Sequence, residues 1–94
     1  MIIHVVLFTL KDRSPMSIEK ARDILLGLNG KISQLRYLEV GTDVLHSERS
    51  YDIALIAKFD SMEDLQAYQV HPVHLEVAKY IMLAQESVAA VDFE

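Results

Sequence analysis

The densest run of chemically capable side chains is Tyr68-Gln69-Val70-His71-Pro72-Val73-His74. Pro72 suits the first position of a helix, where its missing N–H leaves no partner unsatisfied. His74 then falls in the first turn of that helix. The positive end of a helix disfavours imidazolium, so His74 is expected to stay neutral at pH 7 and to serve as a base. The same helix start offers free backbone N–H groups to a developing anion. Tyr68, one helix back, is placed to donate a proton to a carbonyl oxygen.

His4 stands on an apolar run near the start of the chain, and Asp92 is the one carboxylate inside the final apolar run. Antiparallel pairing of those two runs sets His4 beside Asp92. A carboxylate there can orient a histidine by accepting its second N–H. Each residue also has a plainer reading. His4 can be a hydrogen-bonded core residue, and His71, before a proline, a cap or a helix break. Tyr68 can be a core ring with its hydroxyl at the surface, and Asp92 a solvated carboxylate. His71-x-x-His74 has helical metal-ligand spacing, but Pro72 separates the rings and only His4 and Asp92 offer further ligands, so no metal is expected. Glycine-rich and P-loop signatures are absent, and no cofactor is expected.

These residues need elements to position them. Ile2 to Leu10 reads as a strand, because its β-branched and aromatic residues form a nearly unbroken apolar run. Ser14-Pro15 looks like an N-cap followed by a first-turn proline. Ile18, Ala21, Leu25 and Leu28 then recur at helical spacing, predicting a helix to about Asn29 with Gly30 as a left-handed cap. Tyr37 to Leu45 and Tyr51 to Phe59 are predicted strands, close enough to form a hairpin around the polar turn His46 to Ser50. Ser61-Met62-Glu63-Asp64 resembles a capping box and opens a short helix ending near Val70, since His71 before Pro72 is biased toward extended geometry. Val73, Val77, Ala78 and Ile81 mark a further helix, and Val88 to Phe93 a fourth strand.

The 94 residues make a single domain, 1–94, with a β-α-β-β-α-β order whose second helix is broken. Two crossovers of one hand put both helices on one face of an antiparallel sheet. The first strand is nevertheless apolar on both faces: Ile3, Val5 and Leu7 on one, Val6, Phe8 and Leu10 on the other. A half-exposed sheet alternates polar and apolar residues. The economical cover for the bare face is a second copy, so a homodimer through the sheet faces is expected.

Composition excludes other classes. Nine Lys and Arg against 14 Asp and Glu give a formal charge of −5, and the basic residues are scattered. Nucleic acid and anionic membrane need clustered cations, so neither is an expected partner. The absence of cysteine excludes disulfides and thiolate metal sites. Met1-Ile2-Ile3-His4 lacks the features of a secretory signal, and no apolar run reaches the roughly 18 residues of a membrane span. A soluble cytoplasmic protein is the expectation.

The run Tyr68-x-x-His71-Pro72-x-His74 after Phe59-Asp60-Ser61 resembles the stress-responsive α/β-barrel (Dabb) family. Ile3-His4-Val5-Val6-Leu7-Phe8, Leu38-Glu39-Val40-Gly41, Tyr51-Asp52 and Val91-Asp92-Phe93 are similar to it too. The likeness spans essentially the whole chain, and the HPxH segment with its upstream tyrosine is its specific part. It implies an α+β, ferredoxin-like subunit in a dimeric α+β barrel. Its best-understood members are plant polyketide cyclases of the olivetolic acid cyclase type, which close a ring by an aldol step. Carried over, the resemblance implies His74 as base, Tyr68 as acid and Asp92 as the carboxylate supporting that base. It places His4 in the pocket, and His71 is taken with it as a second substrate-binding residue. The ligand expected is a small carbonyl-bearing organic molecule in an apolar pocket. Relatives also include plant stress proteins with structural roles, and related barrels include monooxygenases. A non-catalytic homodimer and a cofactor-free oxygenase therefore stand as alternatives.

Overall fold

The computed structural model describes all residues, Met1 to Glu94. The chain runs β1 (Ile2–Leu10), α1 (Pro15–Leu26), β2 (Tyr37–Thr42), β3 (Ile53–Phe59), α2 (Met62–Gln69), α3 (Pro72–Ala84) and β4 (Gln85–Phe93). The four strands form one antiparallel sheet in the order β2-β3-β1-β4. This is the ferredoxin-like arrangement expected from the element order.

Local chemistry starts the helices where the sequence predicts. Ser14 caps α1 by accepting the Ser17 N–H, with Pro15 in the first turn. Ser61 caps α2 by accepting the Asp64 N–H at 3.1 Å. Such a cap is worth about 1 kcal/mol over alanine. Helix α1 stops at Leu26, short of the predicted Asn29. The N–H groups of Leu28 and Asn29 bond the carbonyls three residues back rather than four, which tightens the last turn. The apolar stripe runs on, so Leu28 is buried although outside the helix. Gly30 does adopt a left-handed φ of 77°, in the turn beyond the helix end.

The strand ends also shift. β2 ends at Thr42 rather than Leu45. The Asp43 carboxylate accepts the N–H groups of Leu45 and His46, taking donors that a ladder would need. His46 there holds a positive φ of 58°. β3 begins at Ile53, because buried Asp52 turns to other partners. Its N–H donates to the Phe8 carbonyl, and its carboxylate accepts from Leu10 N–H and the Arg13 guanidinium. β4 begins at Gln85, three residues before the predicted Val88. Polar Glu86 and Ser87 hide this start, but the ladder with β1 continues through them to Leu10 opposite Gln85, with one irregularity at Thr9 and Leu10.

All three helices pack on one face of the sheet. The core there joins Ile2, Val6, Phe8 and Leu10 of β1 to Ile53, Leu55, Ala57 and Phe59 of β3, under Ala21, Leu25, Leu65, Tyr68 and Ile81 of the helices. Each such large side chain contributes roughly 1.5–3 kcal/mol through burial. The opposite face carries Ile3, Val5 and Leu7 of β1, Ile56 of β3, and Val91 and Phe93 of β4. Val91 and Phe93 are about half exposed, at 54% and 47%. No helix is long and apolar enough to cross a membrane.

Candidate active site

Three elements bring His4, Tyr68 and His74 together. His4 is the third residue of β1, on the face that the helices cover. Tyr68 is the penultimate residue of α2, and His74 the third residue of α3. The Tyr68 ring is only 1% exposed. It lies between Phe59, at 4.8 Å between ring centroids, and His74, at 4.4 Å. His4 meets the other side of the same cluster, 6.3 Å from Tyr68 and 6.4 Å from Phe59.

The junction between α2 and α3 fixes this geometry. A residue before proline is held away from helical backbone, and His71 is extended, at φ −65° and ψ 137°. The chain therefore breaks after Gln69 and restarts as a helix at Pro72. His74 reaches back across that break, with Nδ1 3.0 Å from the Gln69 carbonyl oxygen. A carbonyl only accepts, so Nδ1 donates, and Nε2 of the neutral ring keeps the lone pair. Burial is the main influence holding the His74 pKa below the ordinary 6.5. The Gln69 bond opposes it, and Coulombic repulsion between the His74 imidazolium and the imidazoles of His4 and His71 adds to it. Burial also pushes the Tyr68 hydroxyl up to about 12. Near neutral pH the site thus holds a neutral imidazole beside a protonated phenol.

Asp92 bonds His4, through Oδ1 and Nδ1. The two residues are direct partners in the β1–β4 register. This corrects the role carried over by resemblance: the carboxylate supports His4, and the group holding His74 is a backbone carbonyl. His71 also departs from its expected place. Its Nδ1 accepts the Val73 N–H at 3.1 Å and so caps α3, and its ring lies outside the cavity lining. The plainer reading of His71 is the one the geometry displays.

His4, Tyr68 and His74 line one cavity of about 180 Å³. Val6 and Phe8 form its floor with Leu55. Leu25 and Leu28 close one wall, and Val77, Ala78, Ile81 and Met82 the other, with Gln85 as the remaining polar lining residue. The Tyr68 hydroxyl makes no hydrogen bond within the chain, and no polar side-chain atom is fully enclosed without a partner, so the hydroxyl opens onto this space. A wider cleft of about 570 Å³ lies between α1 and the end of β2. It is mostly polar, and its Arg13 is already forked onto Asp52. The smaller cavity is the better candidate, since apolar walls and convergent polar groups occur there together. Nowhere do three His, Asp or Glu side chains come together as metal ligands.

Of this site, the Gln69 carbonyl and the Leu25–Leu28 wall escape sequence reasoning. A backbone acceptor has no residue signature. The stripe through Leu25 and Leu28 says that they are buried, not what they face.

Residues 2–94 match the family model described as Stress responsive A/B Barrel Domain. The chain is 30% identical over 95 residues to the stress-response A/B barrel domain-containing protein DABB1 of Arabidopsis thaliana. That match covers 96% of the chain but 45% of the relative, so the chain spans less than half of that protein's length. Among solved structures it is similar to a dimeric protein of unknown function and ferredoxin-like fold from Bacteroides fragilis. The identity there is 34% and the TM-score 0.85, over 99% of this chain and 94% of the other. A dimeric ferredoxin-like protein of unknown function from Thermobifida fusca is 30% identical with a TM-score of 0.86, over 98% and 88% of the two chains.

Proposed function

The chain belongs to the stress-responsive A/B barrel domain family, and on that premise we propose that it binds a small carbonyl-bearing organic molecule and moves a proton beside the carbonyl. The observation that carries this reading is the pairing of Tyr68 and His74, 4.4 Å apart between centroids, on one apolar cavity. Nε2 of His74 takes a proton from the carbon next to the carbonyl. The C–H electron pair becomes the double bond of an enol, while Tyr68 donates to the carbonyl oxygen. The enol carbon then attacks a second carbonyl of the same molecule, whose C=O π pair moves onto its oxygen and takes the proton held by His74, or it regains that proton at carbon. In either case the first carbonyl re-forms as its O–H proton returns to Tyr68. His4, held by Asp92, supplies a further polar contact to the ligand. Proton transfer by a positioned side chain contributes typically 10²–10⁴-fold, and the apolar walls strengthen each hydrogen bond inside.

Two copies pack through the bare sheet face in this account. The motive is the apolar strip of Ile3, Val5, Leu7, Ile56, Val91 and Phe93, together with the dimeric state named for the Bacteroides and Thermobifida proteins. The same strip favours a second reading, a non-catalytic homodimer, because it calls for a partner whether or not turnover occurs.

Infrared difference spectra of a bound, ¹³C-labelled apolar ketone test the first reading. The carbonyl stretch is expected to fall on binding to the wild type and to stay near its free value in Tyr68→Phe. A ketone that binds both proteins with the same stretch would remove Tyr68 from the role of donor.

A further inference from the structure

We propose that His71 is a positioning residue for His74, because its capping of α3 holds the bond that decides which ring nitrogen of His74 is basic. The proposal rests on His74 as the base for its functional meaning, but not for its geometry. Three polar groups of His71 bond at the junction, one to α2 and two to the first turn of α3. Its N–H donates to the Tyr68 carbonyl at 3.1 Å, and its own carbonyl accepts from Leu75 N–H at 2.9 Å. Its ring Nδ1 accepts from Val73 N–H at 3.1 Å. The cap thus grips the residue directly before His74, while the backbone grips the last turn of the helix that carries Tyr68.

The Nδ1 bond from His74 to Gln69 spans this same junction, five residues back. Its length is set by where the first turn of α3 stands relative to the last turn of α2. Pro72 has no N–H to add, so the Val73 N–H is the donor that a side chain here can fix. Without the cap, the first turn frays. His74, its third residue, then loses its fixed distance from Gln69. The ring is free to place its proton on Nε2 instead, and the basic nitrogen becomes the wrong one. To cap through Nδ1, His71 must keep a lone pair there, so its own proton sits on Nε2. The two histidines of the HPxH segment therefore hold opposite tautomers for linked reasons.

The test is ¹⁵N NMR of the full chain at pH 7.5, reading the tautomer of His74 in three proteins. The wild type is expected in the Nδ1–H form. His71→Asn, a better cap by side-chain type, is expected to keep that form. In His71→Ala the ratio of Nδ1–H to Nε2–H is expected to fall by about tenfold, the scale of one lost cap. Circular dichroism checks that α3 persists in each variant. A wild-type tautomer ratio in folded His71→Ala overturns the proposal. So does loss of the Nδ1–H form in His71→Asn, which remains informative should the alanine variant not fold. If the tautomers follow the expected pattern but His74→Ala leaves any proton transfer intact, the positioning stands and the reading of His74 as base is lost.

Discussion

His74 owes its neutral form chiefly to burial, whereas the sequence suggests the helix end as the cause. The two influences act in the same direction, so the expected protonation state survives a change of reason. The consequence for pH follows from the sign. The folded protein binds a proton at His74 less readily than the unfolded chain does. Stability from this group is therefore whole above pH 6.5, the ordinary value, and is lost as pH falls toward the lower folded value. NMR titration of the His74 ring should give a midpoint below 6.5. Urea midpoints at pH 7 and pH 5 should fall further in the wild type than in His74→Gln. A ring midpoint above 6.5 would contradict the burial of this imidazole. At this scale the sequence is legible where a residue type is demanded, as with Tyr68 and His74. It is silent where a backbone atom does the work, as with the Gln69 carbonyl. The carryover of Asp92 onto His74 failed because a resemblance transfers residue types more surely than their partners. The strand register, read directly, put Asp92 beside His4.

Elements were legible from their punctuation. Ser14-Pro15, Ser61 and Pro72 mark three helix starts, and all three lie where the residues place them. Ends were harder, because they depend on competition for hydrogen bonds. Asp43 draws the N–H groups that would have prolonged β2. Gln85 to Ser87 join β4 despite their polarity, since β1 offers them a ladder. Asp52 is the sharpest case. It is the one buried charged residue, at 5% exposure, and it accepts from both Leu10 N–H and Arg13. Nothing in an apolar strand pattern foretells that role. Asp52→Ala leaves the Leu10 N–H without its acceptor and should cost about 2 kcal/mol, the usual penalty for a buried donor left unpaired. Asp52→Asn keeps an acceptor for Leu10 and should cost less. The two urea midpoints measure the difference. An equal loss in both variants would mean that the charge pairing with half-exposed Arg13, rather than the Leu10 bond, is what matters.

Across the whole molecule, helices account for one face of the sheet and nothing in the chain accounts for the other. The two-faced apolar pattern of β1 is legible in the sequence and is realised as a bare strip from Ile3 to Leu7, flanked by Ile56, Val91 and Phe93. Val5 sits between Ile56 and Val91 at the centre of that strip. Val91→Asp sets a charge where an apolar partner surface is proposed to dock. Sedimentation of the wild type at micromolar concentration should give twice the 10.7 kDa chain mass, and the variant should fall to one chain with its far-ultraviolet spectrum unchanged. A wild type that sediments as one chain would remove the dimer. The cavity, by contrast, was not legible. Its lining comes from α1, α3 and three strands, and only the fold shows that these leave a space beside Tyr68 and His74.

The claim at the centre of this account is that His74 moves a proton next to a carbonyl. Deuterium wash-in tests it most directly. Short apolar β-diketones in deuterium oxide at pH 7 would be followed by proton NMR, with wild type compared against His74→Ala. The account predicts incorporation next to the carbonyl above the protein-free rate, and a loss of about 100-fold or more in the variant. Wash-in by His74→Ala at the wild-type rate would contradict it.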